Sequence, residues 1–193
     1  MRWLFWLCAG LSTHAAAQSR PVPVGNSDIP LQFELFSVKP PSGANWFFLE
    51  RGKEGVLFGK PPTEPGHTIL AWAAAKQRPE KVDDQSAYMA AIRTELERRL
   101  PPGRHEISQA EVVPFDRYPE ACVRYWFKAT DKGVKGREGI PLNFLIAGIY
   151  CLEPKGRQHN IDVSFSERGG PDKWNDAVRS EAESFFASFQ FLQ

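Results

Sequence analysis

Three histidines and one acid–base pair are the residues after position 17 whose side chains could do chemistry. His67, His105 and His159 are widely separated along the chain, and Glu167-Arg168 lies at the end of a predicted strand. Histidine changes charge near neutral pH and serves as a general acid, a general base or a metal ligand. If His67, His159, Glu167 and Arg168 converged in one concave pocket, they would form a hydrolase site assembled from distant residues. If they lie apart, the histidines are incidental and Glu167-Arg168 is a rim ion pair.

The common catalytic signatures are absent from the sequence. His105-Glu106 begins like the zinc-protease motif, but Gln109 stands where that motif requires a second histidine ligand. Neither G-x-S-x-G nor S-x-x-K marks a serine nucleophile, and no glycine-rich phosphate-binding motif occurs. We therefore predict no catalytic, cofactor-binding or metal-ligating residues, and we expect a non-enzymatic protein without a cofactor.

The segment Asp131–Gly139 (D-K-G-V-K-G-R-E-G) is the most distinctive candidate for binding a partner. Lys132, Lys135 and Arg137 alternate with glycines, so the loop could wrap an anionic group such as a phospholipid headgroup or a polyanion. The two acids of the segment offset two of these cations, and a solvated hairpin tip would have the same sequence. Both interpretations stay open from the residues alone.

Residues 1–17 have the pattern of a secretory signal peptide. Met1-Arg2 is a short positive start, Trp3–Leu11 is apolar, and Ala15–Ala17 supplies the small residues that signal peptidase reads. The apolar run is far shorter than the roughly 20 residues that span a bilayer. We predict cleavage between Ala17 and Gln18, no transmembrane segment in the mature chain, and a periplasmic or secreted location. The alternative is that these residues form a buried N-terminal helix or strand.

Charge and length narrow the class of protein. The chain has 193 residues, with 24 Lys and Arg against 23 Asp and Glu, and the predicted signal removes one Arg, so the mature chain is formally neutral. Neutrality argues against a nucleic-acid partner held on a basic face. Residues 18–30 are polar and rich in proline, which predicts an extended lead-in. Residues 31–193 then form a single domain.

Two cysteines remain after the predicted signal, Cys122 and Cys151. An even count in an exported protein predicts one disulfide, which here would close a loop of about 30 residues. No C-x-x-C motif or adjacent histidine indicates a metal site or a redox site.

Hydrophobic periodicity predicts strands before, between and after two helices. One helix covers residues 84–100, with Met89, Ile92, Leu96 and Leu100 on one face, and a second begins near Asp172. The predicted strands are Phe33–Val38, a hairpin over Trp46–Lys60, Thr68–Lys76, Ala110–Val113, Glu120–Thr130, Asn143–Glu153 and His159–Arg168.

The cysteines also predict a strand register. If Cys122 faces Cys151 in an antiparallel pair, Tyr125 faces Gly148, Trp126 faces Ala147 and Phe127 faces Ile146. Large residues then oppose small ones on both faces, which indicates that both faces are covered. The predicted fold class is α+β, a mainly antiparallel sheet sandwiched between helices and carrying one disulfide.

This pattern resembles the PsbP/Mog1-like domains. The segment Pro41–Trp46 is similar to the family's proline–glycine–tryptophan opening, and the hairpin, the helix over 84–100 and the closing Ser188–Phe191 follow in the family's order. The cysteine pair resembles exported bacterial members more than photosystem or nuclear-transport members. The resemblance implies a sheet between helices and a non-catalytic binding or assembly role, and no ligand residue carries over from it.

The leading hypothesis is an exported, soluble, non-catalytic binding or assembly factor of the bacterial cell envelope. Its partner would be a protein or an envelope component. The alternatives are the hydrolase described above and a carrier of a small apolar ligand, which would need an apolar cavity between sheet and helix.

Overall fold

Strands dominate the chain, and two helices interrupt them. The computed structural model describes residues 21–78, 84–134, 139–154, 158–170 and 175–192. The predicted signal peptide and its cleavage site at Ala17 and Gln18 lie outside these ranges, as do Lys135 and Arg137. The elements in chain order are β1 Val22–Pro23, β2 Leu31–Gln32, β3 Phe36–Val38, β4 Phe47–Arg51, β5 Gly55–Gly59, β6 Thr68–Gln77, α1 Gln85–Arg99, β7 His105–Pro114, β8 Cys122–Asp131, β9 Leu142–Leu152, β10 His159–Gly169, α2 Asp176–Ala187 and β11 Gln190–Phe191.

Eight of the strands form one sheet in the order β1-β4-β5-β6-β10-β9-β8-β7. Every neighbouring pair in it is antiparallel. A second, three-stranded sheet has the order β11-β3-β2. The mainly antiparallel sheet predicted from the sequence is therefore confirmed, and β1 adds Val22–Pro23 of the predicted lead-in to its edge.

The predicted strand Phe33–Val38 is confirmed over Phe36–Val38, which is β3, and is wrong over residues 33–35. β2 and β3 instead form a short hairpin, with Leu31 opposite Val38 and Gln32 opposite Ser37. The backbone N–H of Phe33 donates to the carbonyl of Phe36 at 2.9 Å, which closes the turn between them. The turn contains no glycine, proline or asparagine, so the usual sequence signal of a turn is missing.

The predicted register of β8 and β9 is confirmed. Cys122 faces Cys151, and Tyr125 faces Gly148. The two sulfur atoms lie 2.03 Å apart, at disulfide distance, and both cysteines are fully buried. The other two predicted pairs, Trp126 with Ala147 and Phe127 with Ile146, also occur.

The two helices pack on residues of opposite faces of the sheet. The buried α1 residues Ile92 and Leu96 cluster with Tyr150 of β9. The buried α2 residue Phe185 instead clusters with Ile149, the neighbour of Tyr150 along the same strand. Successive residues of a strand point to opposite faces, so each helix covers a different one. Among the described residues, neither helix is long and apolar enough to cross a membrane.

Candidate functional site

Strand register brings three of the four predicted hydrolase residues together. Glu167 and Arg168 lie near the end of β10, opposite Ile69 and Thr68 at the start of β6. His67 directly precedes β6, so it lies next to this pair. His67 and the adjacent pair Glu167-Arg168, which is 100 residues away from it in sequence, therefore meet at one end of the two central strands.

A chain of hydrogen bonds runs from a loop hydroxyl to a buried carboxylate. Thr63 Oγ1 lies 2.7 Å from His67 Nδ1, and His67 Nε2 lies 2.8 Å from Glu167 Oε1. Thr63 is exposed, whereas His67 and Glu167 are only 5% and 3% exposed. The backbone N–H of His67 donates to the carbonyl of Glu64, so a tight turn presents the hydroxyl to the ring. Neighbouring Thr63 was missed from the sequence because its role depends on this turn.

Asp131, at the end of β8, joins two arginines beside this chain. Arg104 binds it with two hydrogen bonds, Nε at 3.0 Å and Nη2 at 2.9 Å, and Arg168 Nη1 donates at 3.2 Å. The amide of Gly133 donates to the same carboxylate at 2.9 Å. Burial opposes ionisation of Asp131, but the donors from Arg104, Gly133 and Arg168 prevail and hold its pKa well below the usual value.

Thr63, His67, Arg104 and Arg168 line an open cleft of about 800 Å³, here called the His67 cleft. Its lining consists of residues 62–68 together with Arg104, Gly133, Val134 and Arg168. Gly133 and Val134 belong to the segment predicted to bind a partner, so the described start of that segment is part of the cleft wall. Lys132 is exposed and forms an ion pair with Glu106 at 2.7 Å.

The two other histidines, His105 and His159, do not take part in the hydrogen-bond chain of Thr63, His67 and Glu167. His159 begins β10, about 26 Å along the strand from Glu167 at the rise of an extended chain, and its Nδ1 lies 2.9 Å from Glu153. The four-residue hydrolase site is therefore wrong in including His159. His105 Nε2 lies 3.7 Å from Asp131, and burial lowers the pKa of His105. Within the described ranges, no group of three His, Cys, Asp or Glu residues could hold a metal ion.

A second buried polar cluster ties α1 to the sheet. Asp162 of β10 accepts hydrogen bonds from Trp72 Nε1 at 3.0 Å, from Arg99 Nη1 at 2.6 Å and from the Tyr125 hydroxyl at 3.1 Å. Ser164 also donates to Asp162. The alternation of apolar and polar residues along β10 correctly separates the face that carries Asp162 and Ser164 from the apolar face. The polar face is nevertheless covered, because both residues are buried. The polar residues of this strand therefore satisfy one another beneath α1 rather than facing water.

No family model and no curated protein matches this chain. Among solved structures, it is similar to the Ran-binding protein Mog1p of Saccharomyces cerevisiae, with 12% identity and a TM-score of 0.41 over 80% of this chain and 89% of that one. It is also similar to a point mutant of Mog1, with 11% identity and a TM-score of 0.41 over 84% of this chain and 94% of that one.

Proposed function

We propose that this chain is an exported binding protein of the bacterial cell envelope and that the His67 cleft holds a group of its protein or envelope partner. The observation that carries this proposal is the convergence of Arg104 and Arg168 on Asp131 at the wall of an open cleft. Two guanidinium groups sharing one carboxylate supply more hydrogen-bond donors than that carboxylate can accept. Each guanidinium carries five N–H groups. Arg104 uses two of them on Asp131, and Arg168 uses one on Asp131 and one on the carbonyl of Gly66.

The cleft suits a partner that presents acceptor oxygens, such as a carboxylate, a phosphate or a carbonyl group. Arg104 is 46% exposed at its side chain, whereas Asp131 is 1% exposed. The carboxylate thus fixes the arginines from below while part of the Arg104 side chain stays accessible. Prior fixation reduces the entropy lost when the guanidinium binds a partner, which favours binding.

The proposal includes export of the chain and its membership of the PsbP/Mog1-like domains. The composition of residues 1–17 supports a signal peptide. A cysteine pair at disulfide distance in the core suits an oxidising compartment such as the periplasm. The helices on opposite sheet faces agree with the layered arrangement of PsbP/Mog1-like domains. Expression of the full chain in a bacterium should give a periplasmic protein that begins at Gln18, and N-terminal sequencing of a cytoplasmic product that begins at Met1 would contradict export.

Site-specific photo-cross-linking tests the binding role. Pro62 is an exposed residue at the rim of the His67 cleft, and Arg93 is an exposed residue on α1. Each is replaced by a photo-cross-linking residue in a separate variant, and the cells that produce it are irradiated. We expect a discrete adduct at position 62 and none at position 93.

The same experiment with Arg104→Gln shows whether the cleft itself is responsible. The adduct at position 62 should fall several-fold, because the exposed guanidinium is lost, while a thermal melt shows that the variant is folded. Equal adducts at both positions, or an adduct indifferent to Arg104→Gln in a folded variant, would refute a binding role for this cleft.

A further inference from the structure

The hydrogen bonds that link Thr63, His67 and Glu167 can run in the direction that activates the Thr63 hydroxyl as a nucleophile. Glu167 Oε1 lies 2.8 Å from His67 Nε2, and a carboxylate oxygen accepts, so the tautomer with its proton on Nε2 satisfies this contact. A neutral imidazole carries one N–H, which leaves Nδ1 as an acceptor. Thr63 Oγ1, at 2.7 Å, then donates its proton to Nδ1. This direction is the one that a general base requires.

The exposure of the three residues follows the same order. Thr63 is exposed in a loop that lines the His67 cleft, and His67 and Glu167 are buried behind it. A reactant in the cleft could therefore reach the hydroxyl and the edge of the imidazole, while the Glu167 carboxylate stays buried behind His67.

A purely structural role explains this arrangement less well. The loop is already held to β10 by Arg168 Nε, which donates to the carbonyl of Gly66 at 3.3 Å. Burying an imidazole and a carboxylate beside it carries a desolvation cost that an apolar contact would avoid. An exposed hydroxyl aligned on that buried pair adds little to the anchoring, since water could satisfy it equally well.

We propose that Thr63 is the nucleophile for hydrolysis of a small carboxylic ester bound in the His67 cleft. Thr63 Oγ1 attacks the carbonyl carbon while its proton moves to His67 Nδ1, and Glu167 stabilises the resulting imidazolium. The tetrahedral intermediate collapses, the bond to the alkoxy oxygen breaks, and the alcohol leaves with the proton from His67. The product of this half-reaction is an acyl ester of Thr63.

Water completes the cycle. His67 takes a proton from a water molecule, whose oxygen attacks the acyl carbon, and the proton returns to Thr63 Oγ1 as the carboxylic acid departs. One ester and one water thus give one acid and one alcohol. Arg104 and Arg168 line the same cleft, and their positive charge would favour the oxyanion that forms in each half-reaction.

This inference rests on the His67 cleft being a binding site, and it adds a reaction to the binding role. It also departs from the expectation of a non-enzymatic protein. That expectation was based on the absence of sequence motifs, whereas this site is assembled from a loop and the end of a distant strand.

A fluorophosphonate probe and p-nitrophenyl acetate test the proposal with the mature protein. An activated hydroxyl displaces fluoride from the probe, so mass spectrometry of the digested protein should place one phosphonate on the peptide that contains Thr63. The matched variants are Thr63→Ala, which removes the nucleophile, Thr63→Ser, which restores a hydroxyl, and Thr94→Ala on the exposed face of α1.

We expect labelling and release of p-nitrophenolate in the wild type, in Thr63→Ser and in Thr94→Ala. Thr63→Ala should lose both by about a hundredfold or more. Since Thr63 is exposed, this variant should keep the wild-type thermal melt. His67→Gln and Glu167→Gln should each slow labelling while Thr63 is still present.

Two results would count against the reaction. Absence of labelling in the folded wild-type protein would refute it, and so would a phosphonate or a hydrolysis rate that Thr63→Ala leaves unchanged. The cross-link at position 62 is measured in the protein that retains Thr63. If that adduct forms but the wild-type protein is not labelled at Thr63, the binding role stands and the reaction fails, whereas absence of the adduct refutes the binding role independently.

Discussion

At the scale of single residues, environment rather than residue type decides what each charged group does. In the sequence, Asp131 is one of two acids that reduce the positive charge of the segment Asp131–Gly139. In the folded chain it is 1% exposed and receives hydrogen bonds from Arg104, Arg168 and the amide of Gly133. A carboxylate with this many donors is stabilised in its ionised form.

Asp131→Asn should destabilise the protein in a pH-dependent way. At pH 7 the variant removes the charge that the two arginines share, and we expect a loss of about 3 kcal/mol in the free energy of unfolding. The native pKa of Asp131 is depressed, so its contribution is complete above the unfolded value of about 3.9 and disappears as pH falls through the lower native value. Urea unfolding at pH 7 and near pH 3 should show the difference between wild type and variant shrinking in acid. A constant difference would contradict this role.

Two buried tyrosines should respond oppositely to loss of the hydroxyl. Among the described residues, the Tyr88 hydroxyl is buried with no hydrogen-bond partner, and burial raises the pKa of Tyr88. The Tyr125 hydroxyl donates to Asp162. Tyr88→Phe should therefore stabilise the protein by up to about 1 kcal/mol, and Tyr125→Phe should destabilise it by about 2 kcal/mol. Urea unfolding of both variants checks this, and equal losses would show that the Tyr88 hydroxyl has a partner.

Sequence patterns named some site residues and missed others for a physical reason. His67, Glu167 and Arg168 were named because their chemistry is evident from residue type. Thr63 was missed because only the turn through Glu64 brings its hydroxyl to the imidazole. Asp162 was missed because alternation along a strand tells which face a residue occupies and not what covers that face.

At the scale of elements, the pairing of β8 with β9 was predictable because two cysteines specify a register. A shift by one residue would reverse the faces of every side chain, so a single known pair determines the others. The hairpin of β2 and β3 was not predictable in this way, since its turn lacks the residues that normally announce one. The position of α1 was predicted from Ile92 and Leu96, but the burial of Tyr88 follows from the tertiary contacts.

The absence of a side chain at Gly148 lets β9 lie close to Tyr125 of β8 and to the backbone of β10. A side chain at this position should therefore push β9 away from these neighbouring strands. A Cβ at Gly148 would lie 2.5 Å from the carbonyl oxygen of Val163 and 2.9 Å from the Tyr125 ring. Gly148→Ala should cost about 3 kcal/mol, because the backbone oxygen cannot move without disturbing β10. Gly52→Ala is the matched control, since a Cβ there meets nothing within 4 Å and should change stability by less than about 0.5 kcal/mol. Similar denaturation midpoints for the two variants would exclude a close approach at Gly148.

The disulfide between β8 and β9 should add to the free energy of unfolding, because it closes a loop in the unfolded chain. The cysteines are 29 residues apart, and closing a loop of that size corresponds to about 3–4 kcal/mol in the chain-entropy model. We expect the double variant Cys122→Ala, Cys151→Ala to lose about this much free energy of unfolding. Dithiothreitol should lower the stability of the wild type and leave the double variant unaffected. If the reductant has no effect on the wild type once it is unfolded and refolded, the thiols are unlinked.

At the scale of the whole molecule, one sheet joins two cores. The cluster beneath α1 and the cluster beneath α2 both take residues from β8 and β9, on alternate positions of the same strands. Loosening either face must therefore disturb hydrogen bonds that hold the other. The shared strands predict that the described domain unfolds as one cooperative unit.

Truncation on one face should then weaken the other face equally. Leu96→Ala empties space beneath α1 and Phe185→Ala does so beneath α2, and each should cost about 3–4 kcal/mol. Native-state hydrogen exchange measures the free energy of opening at individual amides. In Leu96→Ala, the most protected amides of β10 and of α2 should lose the same free energy as those of β8, because only global unfolding exposes them. Phe185→Ala should produce the reciprocal result. If Leu96→Ala lowered protection in α1 and β8 while the amides of α2 kept their wild-type values, the faces would open separately and the shared strands would not couple them.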